Sequence, residues 1–83
     1  MPHRDDQALT WLVVDAFATE RRLQGRSIED VADAAGVHRT SLGLVERHLR
    51  GVTLDFADRV ATSLGLSLGA VVTEAERARA EQG

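Results

Sequence analysis

The chain has 83 residues and contains no cysteine, no tyrosine, no lysine and a single proline. Without cysteine, disulfides, thiolate metal sites and cysteine nucleophiles are excluded. Its uncharged runs are far shorter than the roughly 20 apolar residues that a membrane-spanning helix needs. No apolar stretch of the kind found in secretory signals opens the chain. We therefore expect a cytoplasmic protein that has no membrane partner.

Charge is only weakly biased toward one sign. Thirteen acidic residues outnumber ten basic residues, all of them arginine, and the net charge is −3. An acidic total argues against a protein that coats nucleic acid through charge alone. A local basic patch can still bind a specific site, because arginine forms bidentate contacts that lysine cannot form.

Catalytic and metal-binding constellations are also missing. A chain this short buries only about 60% of the surface that it exposes when unfolded, which leaves little room for a deep cleft. The sequence has no Ser–His–acid set, no glycine loop that would cradle a phosphate and no facing pair of carboxylates. His3, His38 and His48 do not share the spacing of metal ligands. We therefore expect no enzyme, no catalytic residue, no cofactor and no metal.

Helices are the expected secondary structure, because proline is absent from the interior and glycines punctuate the chain. Ser27, Thr53 and Ser67 have the positions of helix N-caps. Glu29 and Asp30 suit the positive end of the helix that follows Ser27, and we interpret them as a solvated first turn. The five helices are predicted at about residues 8–23, 28–35, 39–47, 54–64 and 68–78.

These helices predict a compact all-α domain over residues 8–75, between an N-terminal tail at 1–7 and a charged C-terminal tail at 76–83. In the first helix, a row of apolar residues at helical spacing marks the expected inward face. That row consists of Leu9, Leu12, Val13, Ala16 and Phe17.

Residues 28–47 combine a small residue, a glycine and a set of apolar positions in the order that a helix-turn-helix requires. Two helices that cross steeply need a small residue at their contact, and Ala32 takes that position. The sharp turn after the first helix needs a residue that tolerates positive φ, and Gly36 is there. The apolar positions that face the shared core are Val31, Ala35, Val37, Leu42 and Val45.

On these residues the chain resembles the phage repressor/Cro type of helix-turn-helix regulator, also called the xenobiotic-response-element type. The resemblance covers roughly residues 17–72. The residues HRT at 38–40, at the head of the predicted third helix, are especially similar to restriction–modification controller proteins. The chain departs from the family where Ile28 replaces a frequent glutamine and His48 replaces a usual glycine.

The resemblance implies a repressor-like fold whose third helix enters the major groove of double-stranded DNA. Arg39 is then expected to pair with guanine, because a guanidinium can bond bidentately to that base. Arg47 and Arg50 are expected to hold phosphates. The DNA-binding residues that the resemblance implies are His38, Arg39, Thr40, Ser41, Gly43, Leu44, Arg47 and Arg50.

Two further features concern the framework around this helix. The family pattern pairs Glu46 with an arginine of the first helix, here Arg21, which we expect to form a structural ion pair. The segment from 36 to 51 has three arginines and one glutamate, so it is positive within an acidic chain and would turn toward DNA.

A homodimer is expected, because one small module with few phosphate contacts binds weakly and two would place their recognition helices about 34 Å apart. The sequence leaves two surfaces open for it. One is a second apolar face of the first helix, for which the alternative is that Trp11 folds over a neighbouring helix end; the other lies along the fifth helix. The candidate interface residues are Trp11, Val14, Ala18, Leu68, Val71 and Val72.

The sequence thus predicts a transcriptional regulator that binds an inverted-repeat operator as a homodimer. The competing hypothesis is a protein-interaction module or antitoxin that keeps the fold and binds DNA weakly or only with a protein partner. Salt dependence separates the two, since operator binding weakens steeply as salt rises.

Overall fold

A computed structural model describes residues 7–82 and contains five α-helices with no strand in that range. Most of the predicted N-terminal tail, residues 1–6, lies outside the described residues. None of the helices in the described part is long and apolar enough to cross a membrane. The helices are α1 (Ala8–Leu23), α2 (Ile28–Ala35), α3 (Arg39–Glu46), α4 (Leu54–Ser63) and α5 (Leu68–Gln82).

Side-chain caps begin α2, α4 and α5, as the N-cap pattern predicted; at α5 the Ser67 hydroxyl accepts a hydrogen bond from the Ala70 N–H at 3.3 Å. The Ser27 hydroxyl accepts a hydrogen bond from the Asp30 backbone N–H at 3.0 Å, and the Asp30 carboxylate accepts one from the Ser27 N–H at 3.1 Å. This reciprocal arrangement is a capping box. The bond from the Ser27 backbone, followed by that from its side chain, lowers the pKa of Asp30 below its ordinary value. The Thr53 hydroxyl caps α4 through the Phe56 N–H at 3.0 Å.

Four helices end on a residue with left-handed backbone. Gly25, Gly36 and Gly65 have φ of 68°, 70° and 75°, and His48 has φ of 61° after α3. After each of them the next N–H bonds to a carbonyl five residues back, as Leu49 does to Leu44 at 2.9 Å. This is the Schellman ending, for which glycine is the usual residue. His48 therefore takes the left-handed backbone conformation at the position where the family usually has glycine.

The main core lies between α1, α2, α4 and α5, with Leu42 of α3 reaching into it. α1 packs most extensively on α5, and α2 packs on both α3 and α4. Short helices cannot fold alone, and this shared burial stabilises all of them. The buried cluster consists of Val13, Phe17, Val31, Ala32, Ala35, Leu42, Ala57, Val60, Ala61, Leu64 and Ala75.

The prediction that α1 exposes a second apolar face is wrong. Val14 and Ala18 are only 1% and 4% exposed. They lie on the same side of α1 as Asp15 and Arg21, which contact residues at the end of α3. α1 is therefore covered on two sides. Ala16, which the apolar row placed inward, is exposed instead.

α5 continues to Gln82, so residues 76–82 of the predicted charged tail are helical, and Gly83 lies outside the described residues. Alanine, glutamate, arginine and glutamine are all good helix formers, and no glycine or proline interrupts them before Gly83. Leu68, Val71 and Val72 are half-buried and pack against the core of their own chain.

Candidate nucleic-acid interface

The turn between α2 and α3 presents α3 at the surface. Gly36 closes α2 in a left-handed conformation that a side chain would strain. Val31 and Ala32 of α2 and Leu42 and Val45 of α3 are almost fully buried. With these residues held inward, the opposite face of α3 is free to contact a ligand.

A bidentate ion pair fixes the last turn of α3 to α1, as the resemblance implied. Arg21 donates to the Glu46 carboxylate from Nε at 2.8 Å and from Nη2 at 2.9 Å, and it also donates from Nη1 to the Arg26 carbonyl at 2.9 Å. The two side chains are 12% and 8% exposed. The hydrogen bond to Glu46 raises the pKa of Arg21 above its ordinary value, so the guanidinium stays charged.

His48 forms a second link between α1 and the end of α3. Its ring stacks on Trp11 with centroids 4.5 Å apart and planes at 13°. Its Nε2 lies 2.7 Å from Oδ1 of Asp15, one turn along α1 from Trp11. Trp11 therefore folds over a neighbouring helix end, which is the alternative that the sequence left open. The two contacts offset the unfavourable left-handed backbone of His48.

The outward face of α3 brings together most of the residues that the resemblance implied. Arg39, Thr40 and Arg47 are exposed, while Ser41, Gly43 and Leu44 are half-buried. His38 is exposed and caps α3, because its Nδ1 accepts a hydrogen bond from the Thr40 N–H at 3.2 Å. That acceptor role places the ring proton on Nε2 in the neutral form, where it can be donated outward.

Two arginines fold back along this face. Arg50 follows α3 in the chain, yet its Nη1 donates to the Ser41 hydroxyl at 3.0 Å. Arg47 donates from Nε to the Gly43 carbonyl at 3.3 Å. Within residues 7–82 neither side chain forms a salt bridge. Both positive charges are thus available to an anion such as a phosphate.

Arg39 differs from them, because its Nη1 donates to the Glu29 carboxylate of α2. Both side chains are well exposed, at 67% and 57%. They border a recess of about 510 Å³ between α2 and α3, whose lining also includes Ile28 and Gly43. The sequence analysis assigned Glu29 only to a solvated first turn and so missed this contact. The signal was the placement of a carboxylate at the start of α2, beside the turn that brings α3 back.

Exposed leucines and an apolar groove were also missed. Leu49 and Leu54 are 67% and 79% exposed at the two ends of the α3–α4 connection. A groove of about 570 Å³ runs between α1 and α5, with apolar side chains on both helices and carboxylates at its edges. Its lining residues are Leu12, Asp15, Ala16, Thr19, Glu20, Leu66, Ser67, Ala70, Val71, Glu74, Ala75 and Ala78.

Comparison with known proteins agrees with this geometry. A family model described as helix-turn-helix matches residues 18–71. Among solved structures, the chain is similar to the clp gene regulator ClgR from Corynebacterium glutamicum, with a TM-score of 0.76, 27% identity, and coverage of 89% of this chain and 79% of that one. A search of curated proteins returns no match. The chain belongs to the helix-turn-helix family of the Cro/C1 type, whose members are DNA-binding transcription regulators and not enzymes.

Proposed function

We propose that this regulator binds an inverted-repeat operator as a homodimer, with α3 of each copy in the major groove. The observation that carries the proposal is the outward face of α3, where three arginines surround small and polar side chains. α3 has only eight residues, which suits a helix that enters the groove by its N-terminal half.

The phosphate contacts are assigned to Arg50, Ser41 and Arg47. Because Arg50 donates to the Ser41 oxygen, the Ser41 hydroxyl proton is free to point outward beside the guanidinium. A hydroxyl and a guanidinium side by side form a suitable site for one phosphate oxygen pair. Such contacts fix the position of the protein on DNA and carry no sequence information.

The base contacts are assigned to the first turn and middle of α3. Arg39 lies at the first helical position, and its guanidinium suits the O6 and N7 acceptors of guanine. Thr40 and Leu44 can contact a thymine methyl, and His38 can donate from Nε2 to a base or a phosphate. Gly43 has open space where a Cβ would be, so the backbone can approach a base edge closely.

The homodimer is assigned to the groove between α1 and α5. An apolar groove of this size on an 83-residue chain is a surface that a partner can bury. Two copies would then bind two half-sites, and repression would follow where the operator overlaps the polymerase site. The competing hypothesis, a protein-interaction module or antitoxin, would use the same groove for another protein and bind DNA weakly.

Arginine substitutions test the assignment of roles. Arg39→Ala should lower affinity for the preferred site by about 1–3 kcal/mol and remove the preference at one base pair of each half-site. Arg50→Ala should weaken all sequences alike and reduce the slope of log K against log salt by about 0.9 for each copy bound. Fluorescence anisotropy with labelled duplexes, recorded over a salt series, measures both the affinities and the salt slopes.

The exposed Arg79 of α5 offers a matched control, since Arg79→Ala removes the same charge away from α3. An Arg39→Ala variant with unchanged sequence preference would refute base contact by Arg39. If the unmodified protein binds DNA only weakly, in a salt-sensitive way and without any sequence preference, the protein-interaction hypothesis is favoured.

A further inference from the structure

We infer that Glu29 is a specificity-determining residue, which holds the Arg39 guanidinium for a base and keeps it from the phosphates. The inference rests on the proposed function of α3 and extends it to α2. Its basis is the ion pair that joins Glu29 Oε2 to Arg39 Nη1 across the turn.

The geometry of the pair leaves the useful edge of Arg39 free. Glu29 engages only Nη1, and among the described residues no hydrogen bond uses Nε or Nη2 of Arg39. A guanidinium has five N–H donors in one plane, and the pair formed by Nε and Nη2 matches the two acceptors of guanine. One edge held by Glu29 therefore orients the other edge for a bidentate contact.

Arg39 differs in this respect from the other two arginines of the surface. Arg47 and Arg50 form no salt bridge within the described residues, which suits contacts with phosphates. Arg39 alone among the three is held by a carboxylate, which would repel a phosphate that approached the same guanidinium. Glu29 thus divides the three arginines into two for the DNA backbone and one for a base.

The exposure of the Glu29–Arg39 pair indicates whether its loss should affect folding stability or DNA binding. An ion pair with side chains 67% and 57% exposed contributes little to folding. Its loss should therefore leave stability nearly unchanged and act on DNA binding. Without Glu29, Arg39 must be immobilised on binding the correct base, and it is also free to pair with phosphates of any sequence.

Glu29→Gln is the test variant, and Asp33→Asn is the matched control. Asp33 is exposed on the same helix, forms no salt bridge in the described part of the chain, and loses the same charge when substituted. The measurement compares the preferred duplex with a duplex altered at the base pair that Arg39→Ala identifies.

We expect Glu29→Gln to reduce the ratio of the two affinities by about 2- to 12-fold, the range for one side chain that must be ordered on binding. Affinity for the altered duplex should rise, and its dependence on salt should steepen, because Arg39 becomes free to contact phosphates. Asp33→Asn should leave the ratio unchanged. In an Arg39→Ala background, Glu29→Gln should have no further effect on the ratio.

A second measurement needs no DNA. The Nε–H order parameter of Arg39, measured by NMR relaxation in the free protein, should fall in Glu29→Gln and stay high in Asp33→Asn. Equal mobility of Arg39 in all three proteins would overturn the inference, as would an unchanged affinity ratio in a protein whose preference depends on Arg39. If the unmodified protein shows no sequence preference at all, the proposed function itself is refuted.

Discussion

At the scale of single residues, two side chains at the end of α3 carry its attachment to α1. Glu46 is nearly buried and receives both of its bonds from Arg21. His48 occupies a backbone conformation that glycine would adopt more easily. Unlike glycine, it has a side chain that contacts Trp11 and Asp15 and so links the end of α3 to α1. α3 is thereby fixed at the end opposite its first turn.

Arg21→Ala should destabilise the fold on the order of 3 kcal/mol, because it leaves the Glu46 carboxylate buried without a partner. In a domain of this size, such a loss lowers the midpoint of thermal unfolding by about 12–24 °C. Circular dichroism at 222 nm during heating measures it directly.

Arg77→Ala is the control for this prediction. Arg77 pairs with Glu74 on α5, but both side chains are mostly exposed, at 64% and 68%. Its substitution should change stability by less than about 1 kcal/mol. Equal effects of the two substitutions would contradict a structural role for the Arg21–Glu46 pair.

At the scale of helices, the sequence predicted where elements begin and end better than which faces they bury. Hydroxyl caps and glycines are local signals, and they located the starts of α2 and α4 and the ends of α2 and α4. α5 extended further than predicted, because its charged residues are as favourable in a helix as in a tail.

Burial of Val14 and Ala18 could not be predicted from α1 alone. A helical wheel divides the apolar residues of α1 into two rows, and it does not show that α3 covers the second row. The same limit applies to Glu29 and Arg39, which are ten residues apart and meet only because the turn at Gly36 brings α3 beside the start of α2. Contacts across a turn depend on its geometry, which residue types do not specify.

Gly43→Ala should have opposite effects on folding and DNA binding. An added Cβ would meet nothing within 4 Å, so the exchange should stabilise α3 by about 0.5–1 kcal/mol, as expected inside a helix. If the backbone of α3 approaches a base edge here, the methyl group should weaken operator binding by about 1–3 kcal/mol, comparable to one lost base contact. Urea denaturation and anisotropy measure the two effects.

Gly69→Ala, in the first turn of α5, is the matched control and should leave DNA binding unchanged. Tighter or equal binding by Gly43→Ala would show that α3 does not approach DNA closely at this position.

At the scale of the whole molecule, the outward face of α3 is bordered by two exposed arginines, Arg47 and Arg50, in a protein whose net charge is −3. Glu29 and Glu46 each pair with an arginine, whereas Arg47 and Arg50 form no salt bridge within residues 7–82. The acidic remainder would orient the molecule in the field of DNA with this face foremost.

In the proposed homodimer, the second copy packs against the groove between α1 and α5. Ala70 is exposed and lines this groove, so Ala70→Glu should prevent dimer formation without disturbing the core. Ala80→Glu adds the same charge to an exposed position of α5 that does not line the groove. Sedimentation equilibrium should show a dimer for the unmodified protein and Ala80→Glu, and a monomer for Ala70→Glu. A dimer in all three would place the interface elsewhere.

The central claim is that α3 recognises a specific DNA sequence in two symmetric copies. Selection from a pool of random duplexes at physiological salt, followed by sequencing of the retained DNA, tests it most directly. We expect an enriched inverted repeat whose half-sites lie about one helical turn apart, roughly 34 Å, and which Arg39→Ala no longer enriches. Retention of DNA without any enriched sequence would contradict it.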